Sequence, residues 1–152
     1  MNITKTLSQA IELELRVSEC YEKMSAMTLD ENLKQELQKL AKEEVVHAHL
    51  LRSGKSYASD DPEFFHDEHV TDQEIGENLS LIENLIQNID NKTITVREAL
   101  NRICELESRF EKVHLDKIIE IKDPSLKKLF EALSAGDREH TQRLEKIACA
   151  LK

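Results

Sequence analysis

At 152 residues and 17.5 kDa the chain has enough material for one apolar core, so a single domain spanning 1–152 is expected. Its 30 acidic against 21 basic residues give a formal net charge of -9, which repels nucleic-acid phosphates and anionic lipid and argues against both as partners. With 3 Gly, 2 Pro and no Trp beside abundant Leu, Glu, Lys and Ala, sheet is disfavoured and the expected class is all-α.

The first predicted element begins almost at once. Met1-Asn2-Ile3-Thr4-Lys5 leads into an amphipathic pattern rather than into the apolar core of a signal peptide, and no apolar run approaches the ~18 residues of a spanning helix. A cytoplasmic protein is the expectation. Ile3, Leu7, Ala10, Glu14, Val17, Tyr21 and Met24 lie alternately three and four apart, tracing one face of a helix of roughly 25 residues. Glu14 interrupts that apolar stripe. A turn near Leu29 and Asp30 opens a second helix, whose stripe runs Leu33, Leu37, Leu40, Glu44, His47 and Leu51, with Ser53-Gly54 expected to close it.

A long segment, about 54–94, then has to carry the chain back along the bundle. Its first part, Ser59-Asp60-Asp61-Pro62-Glu63-Phe64-Phe65-His66, is acidic and turn-rich, with two aromatics to anchor it. His66 and His69 have metal-binding spacing but read as a solvated pair. The second part is helical: Thr71-Asp72-Gln73-Glu74 is a capping box, and Ile75, Leu79, Ile82, Ile86 and Ile89 form a stripe that either covers the bundle or makes a contact in a homodimer. Another capping box, Thr95-Val96-Arg97-Glu98, starts the third bundle helix, with Val96, Leu100, Ile103, Glu107, Phe110, His114 and Ile121 on its face. Asp123 as N-cap and Pro124 at the first helical position start the fourth, which runs Leu126, Phe130, Leu133, Asp137, His140, Leu144, Ile147 and Leu151.

The interrupted stripes are copies of one another. Glu14 recurs as Glu107, Glu44 as Asp137 and His47 as His140, each 93 residues on and without a gap; Glu12/Glu105, Leu13/Leu106, Arg16/Arg109 and Leu40/Leu133 keep the same register. Two acids and one histidine per half make six candidate ligands, the number that serves a pair of metal ions in a helical bundle. Glu14 and Glu44 lie about equally far from the first turn, as do Glu107 and Asp137 from the second near Lys122 and Asp123, so all six can share one layer. Four carboxylates buried there without cations would cost several kcal/mol each. His49, Glu12, Glu105 and Glu139 fall off these faces and read as surface groups. Cys20, Cys104 and Cys149 are odd in number, contain no C-x-x-C pair, and read as buried small apolar residues.

With E-x-x-H in the second helix, D-x-x-H in the fourth, and a lone Glu in the first and third, the chain resembles the rubrerythrin branch of the ferritin-like di-iron proteins over about residues 3 to 52 and 95 to 151. The resemblance implies a four-helix bundle of two helical hairpins joined by a long crossover carrying an extra helix. It implies two iron ions per chain, with manganese or zinc as alternatives, held by Glu14, Glu44, His47, Glu107, Asp137 and His140, with Glu44 and Asp137 bridging. Tyr21, seven residues after Glu14, resembles the tyrosine that hydrogen-bonds a ligand carboxylate in that family; His114 stands at the matching place in the other half. For both, hydrogen bonding to the ligands and plain core packing are the two readings, since each lies about 10 Å along its helix from the ligand Glu.

Three departures from the family bear on chemistry. Asp137 replaces a Glu and is one methylene shorter. Phe110 occupies the position of the additional Glu of peroxide-reducing rubrerythrins. No four-cysteine rubredoxin knuckle is present in these 152 residues, so the reductant implied is an external donor such as a separate rubredoxin. A carboxylate-rich site with two imidazoles stabilises ferric iron and suits reaction with peroxide or dioxygen, or oxidation of ferrous iron. A di-iron oxidoreductase is therefore one expectation; a metal-binding or iron-storage protein without turnover is another; an interaction module built on the acidic surface and crossover helix is a third.

Overall fold

The computed structural model describes residues 3–59, 72–120 and 122–150, and these form five α-helices with no strand among them: α1 (Ile3–Met27), α2 (Glu31–Ser59), α3 (Asp72–Asp90), α4 (Val96–Glu120) and α5 (Pro124–Ala150). The caps are those the sequence signals. Asp30 Oδ1 accepts from the backbone N–H groups of Asn32 at 2.9 Å and Leu33 at 3.1 Å, satisfying two donors that the first turn of α2 would leave orphaned. At α4 the Thr95 hydroxyl accepts from Glu98 N at 3.2 Å while the Glu98 carboxylate accepts from Thr95 N at 3.4 Å. Asp123 Oδ1 takes Leu126 N at 3.0 Å to start α5 behind Pro124. The end of α3 is a Schellman turn: Thr93 N donates to Asn88 O, Lys92 N donates to Ile89 O, and Lys92 takes the left-handed φ of 57° that this motif needs.

Two expectations are corrected. Gly54 does not close α2, which continues to Ser59. Gly54 is instead a place of close approach: a Cβ there would stand 2.5 Å from Leu129 Cδ2 on α5, so its missing side chain lets the two helices touch. Cys149 is exposed, because it is two positions past Ile147 and turned away from the buried face of α5; Cys20 is buried and Cys104 half-buried. Phe64, Phe65, His66, His69, Thr71, Ile121 and Leu151 lie outside the described residues.

Helix α1 packs against α2, α4 against α5, α2 against α5, and α3 against both α1 and α4. The stripe of α3 is thus buried inside its own chain, with Ile75, Ile82, Leu85, Ile86 and Ile89 in the larger core cluster. Arg16 with Glu83 and Lys23 with Asp90 tie α1 to α3 at the surface, contacts worth little each.

The apolar core is in two pieces. Along α1, α2 and α5 the boundary between them falls at the acidic and histidine positions: Leu7, Ala10 and Ile11 are on one side of Glu14 and Val17, Cys20 and Tyr21 on the other. Likewise Leu40 and Ala41 are parted from Ala48 and Leu51, and Leu133 from Leu144. A polar layer therefore crosses the middle of the helical bundle.

Candidate metal centre

The helical period brings the polar layer together. Glu14 on α1, Glu44 on α2, Glu107 on α4, and Asp137 and His140 on α5 are all buried, and His47 on α2 is nearly so. Glu44 and His47 are three apart, as are Asp137 and His140, so each pair projects from one face of its helix. Three groups of ligand atoms result, each within 4.8 Å: Glu14, Glu44 and His47; Glu44, Glu107 and His140; and Glu14, His114 and Asp137. Glu44 belongs to the first two. Its Oε2 is 3.4 Å from His47 Nδ1 and its Oε1 2.7 Å from His140 Nδ1, one oxygen toward each histidine, and the two imidazoles stack 5.4 Å apart.

Asp137, expected beside Glu44 as a second bridge, is drawn to the third group. Its Oδ2 is 2.5 Å from His114 Nδ1, a contact that the shorter side chain favours over reaching the centre of the layer. His114, which the sequence places at a hydrogen-bonding or packing position, is thus joined to Asp137 and lies near Glu14 on another helix. Tyr21 takes the hydrogen-bonding role: its hydroxyl donates to Glu107 Oε1 at 2.6 Å. Glu12, His49, Glu105 and Glu139 are exposed, as their helical phase requires.

The orphaned atoms state what the layer needs. Both oxygens of Glu44, Glu107 Oε2, Asp137 Oδ1, and the Nδ1 atoms of His47 and His140 are buried with no hydrogen-bond partner among the described residues. Such groups are rare and costly in a native interior. Hard oxygen donors with imidazole nitrogens, converging from four helices, match the donor set of divalent first-row metals, so these residues can hold a metal ion.

Protons partly do the work of cations in the protein alone. Burial, then the charges of Glu14 and Glu107, push the Glu44 carboxyl well above its usual range. Burial alone would raise Glu14 too. The polar groups of Glu44 and His47 beside it and the charges of His114 and His47 outweigh it and hold Glu14 at about 2. Asp137 is raised to about 7 by burial, against the opposing pull of His114. For His47 and His114 burial favours the neutral ring, but the carboxylates around them win and both are raised.

Three supporting features carry no signal in the local sequence pattern. Arg143 grips both oxygens of Glu43, at 2.9 and 2.6 Å, and Glu43 Oε2 stands 3.7 Å from His140 Nε2, on the side of the ring turned away from Glu44. That places a fixed charge behind the imidazole. Gly136 lies against the His47 ring: a Cβ there would be 2.7 Å from Cε1 and 2.8 Å from Nε2. Phe130 packs its ring 5.9 Å from that of His114. Only the repeat offered a hint of His114, through its pairing with Tyr21.

The chain matches no family model, no curated protein and no solved structure. Among the described residues no helix is long and apolar enough to cross a membrane.

Proposed function

We propose that this protein is a di-iron carboxylate oxidoreductase of the rubrerythrin type, a ferritin-like bundle of two hairpins joined by a crossover that carries α3. The observation that supports it is the buried layer in which Glu44 turns one oxygen to His47 and the other to His140, with Glu14 and Glu107 completing the two groups. Two ions fit that reading, with Glu44 shared between them. Bound iron would supply two-electron chemistry toward dioxygen or peroxide, or accept electrons from further ferrous ions. The chain's own residues do the rest: the carboxylates favour the ferric state, the apolar clusters on either side limit water, and the Tyr21 hydroxyl holds Glu107 in place. A homodimer in the cytoplasm, reduced by an external donor such as rubredoxin, completes the proposal.

A second reading, metal holding without turnover, draws on Phe110 and Asp137. Phe110 is buried apolar core at the place where the resemblance would put an additional carboxylate, and Asp137 is occupied by His114. Stopped-flow mixing of ferrous-loaded protein with dioxygen and with peroxide decides between them. Oxidation well above the buffer rate, abolished in Glu44→Gln, is expected. If the parent protein oxidises no faster than buffer with either oxidant, the storage reading takes its place. Phe110→Glu is expected to raise reactivity toward peroxide selectively.

A further inference from the structure

The two histidines of the layer are presented alike and guarded differently. Each turns Nδ1 inward: His47 Nδ1 is 3.4 Å from Glu44 Oε2 and 3.7 Å from Glu14 Oε2, and His140 Nδ1 is 2.7 Å from Glu44 Oε1 and 3.5 Å from Glu107 Oε1. Each Nε2 is left on the outer side of its ring. Behind that of His140 stands Glu43, with Oε2 3.7 Å away, and Arg143 holds both Glu43 oxygens while also lying 3.5 Å from Glu36 and from Glu139. This pins α2 to α5 beside the ring. Behind His47 stands Gly136, where a Cβ would fall 2.8 Å from Nε2, so the ring occupies the notch that the missing side chain leaves.

The 93-residue register shows that these are equivalent places in the two halves. Gly136 is the counterpart of Glu43, and Leu50 is the counterpart of Arg143. An acid and a base grip each other at one histidine; at the other the same positions carry no side chain and an exposed apolar one. Exposure follows the same division. The side chain of His47 is 12% exposed and that of His140 2%, with Glu14, Glu44, Glu107 and Asp137 at 3% or less. A multidentate ion leaves one ligand at a time, so the ligand that water reaches and that can turn outward sets where departure begins.

We propose that divalent cations enter and leave the layer past His47, through the notch at Gly136, while the Glu43–Arg143 pair closes the His140 end, so that one ion exchanges readily and the other is retained. The inference rests on reading the layer as a two-ion centre, and it gives that centre a direction. Glu43 and Arg143 act as positioning residues, since neither belongs to the groups of atoms that can hold an ion.

Zinc release tests it. The full chain, loaded with two equivalents of zinc, is mixed with excess chromophoric chelator in a stopped-flow instrument, in the parent, His47→Gln, His140→Gln and Arg143→Leu proteins, each checked for helix content by circular dichroism. The parent is expected to release one equivalent quickly and the other about tenfold more slowly or beyond. His47→Gln should keep only the slow phase and His140→Gln only the fast one. Arg143→Leu, which copies the other half of the chain, should speed the slow phase about tenfold and leave the fast phase unchanged. Release of both equivalents from the parent at one rate, a slow phase that survives only in His140→Gln, or an unaltered slow phase in Arg143→Leu overturns the proposal while leaving the pair intact; a parent that takes up fewer than two equivalents overturns the pair as well. Should Arg143→Leu not fold, Glu43→Gln carries the same expectation and is judged by the same slow phase.

Discussion

Tyr21 reaches from α1 to α4 and donates its hydroxyl to Glu107 Oε1 at 2.6 Å, with both residues fully buried. Glu107 Oε2 has no partner among the described residues, so this bond is the main neutral support of a carboxylate in the core. Tyr21→Phe keeps the packing and removes the donor. It should lower the stability of the metal-free protein by about 1–3 kcal/mol, the cost of leaving a buried acceptor unpaired. Urea denaturation in the presence of a chelator measures this, and an unchanged midpoint would show that Glu107 finds its hydrogen bond elsewhere.

Two glycines test the closeness of α5 to α2. Replacing a helical glycine by alanine gains about 1 kcal/mol in propensity when nothing is in the way. At Gly136 the new methyl meets the His47 ring, which would have to leave its position by roughly the ångström that metal geometry cannot tolerate. Gly136→Ala should weaken zinc binding at least tenfold. At Gly54 the obstacle is the end of the flexible Leu129 side chain, which can rotate, so Gly54→Ala should leave zinc binding unchanged. Titration of both variants against zinc reads the difference; equal affinities would contradict the placement of His47 against α5.

Metal removal should destabilise the protein and do so through the buried layer alone. A ligand held at about 1,000 times its dissociation constant adds about 4 kcal/mol to stability. His47→Ala should lose most of that gain, whereas Glu12→Ala and His49→Ala, both exposed, should keep it. Glu44→Gln separates folding from binding: burial and the neighbouring carboxylates disfavour a charge at Glu44 in the metal-free protein, so its melting temperature with chelator should match or exceed that of the parent while zinc stabilisation disappears. Scanning calorimetry with and without zinc checks all four.

The same groups set a pH dependence of known sign. Asp137 is raised to about 7, and Glu44, His47 and His114 are also raised, so the folded chain binds these protons more tightly than the unfolded one. Their contribution is present at low pH and is lost as pH rises through the folded values. Glu14, lowered to about 2, acts oppositely, its contribution fading only as pH falls below the usual carboxylate range. The metal-free protein should therefore melt at a higher temperature near about pH 5.5 than near about pH 8, and Asp137→Asn should flatten the difference. Saturating zinc should reverse the trend, because the metal competes with these protons. A chelated parent that gains stability between the two pH values would refute the assignment.

Much of this was legible in the chain because the helix imposes its own arithmetic. A period of 3.6 residues places Glu14, Glu44, His47, Glu107, Asp137 and His140 on apolar faces, and cap chemistry at Asp30, Thr95 and Asp123 marks where those faces begin. The 93-residue register adds that the two halves repeat one pattern. None of this depends on where one helix sits against another. Whether Gly54 ends a helix or lets one approach another was undecidable locally, since a glycine serves both purposes. The attachment of Asp137 to His114, the turning of Glu14 toward two histidines, the Arg143–Glu43 support behind His140, and the space that Gly136 leaves for His47 were likewise decided only in three dimensions. Each joins residues on different helices, and rotating a helix by a few tens of degrees or sliding it by one turn would exchange these partners while leaving every local period and cap intact; interhelical packing sets that rotation and height.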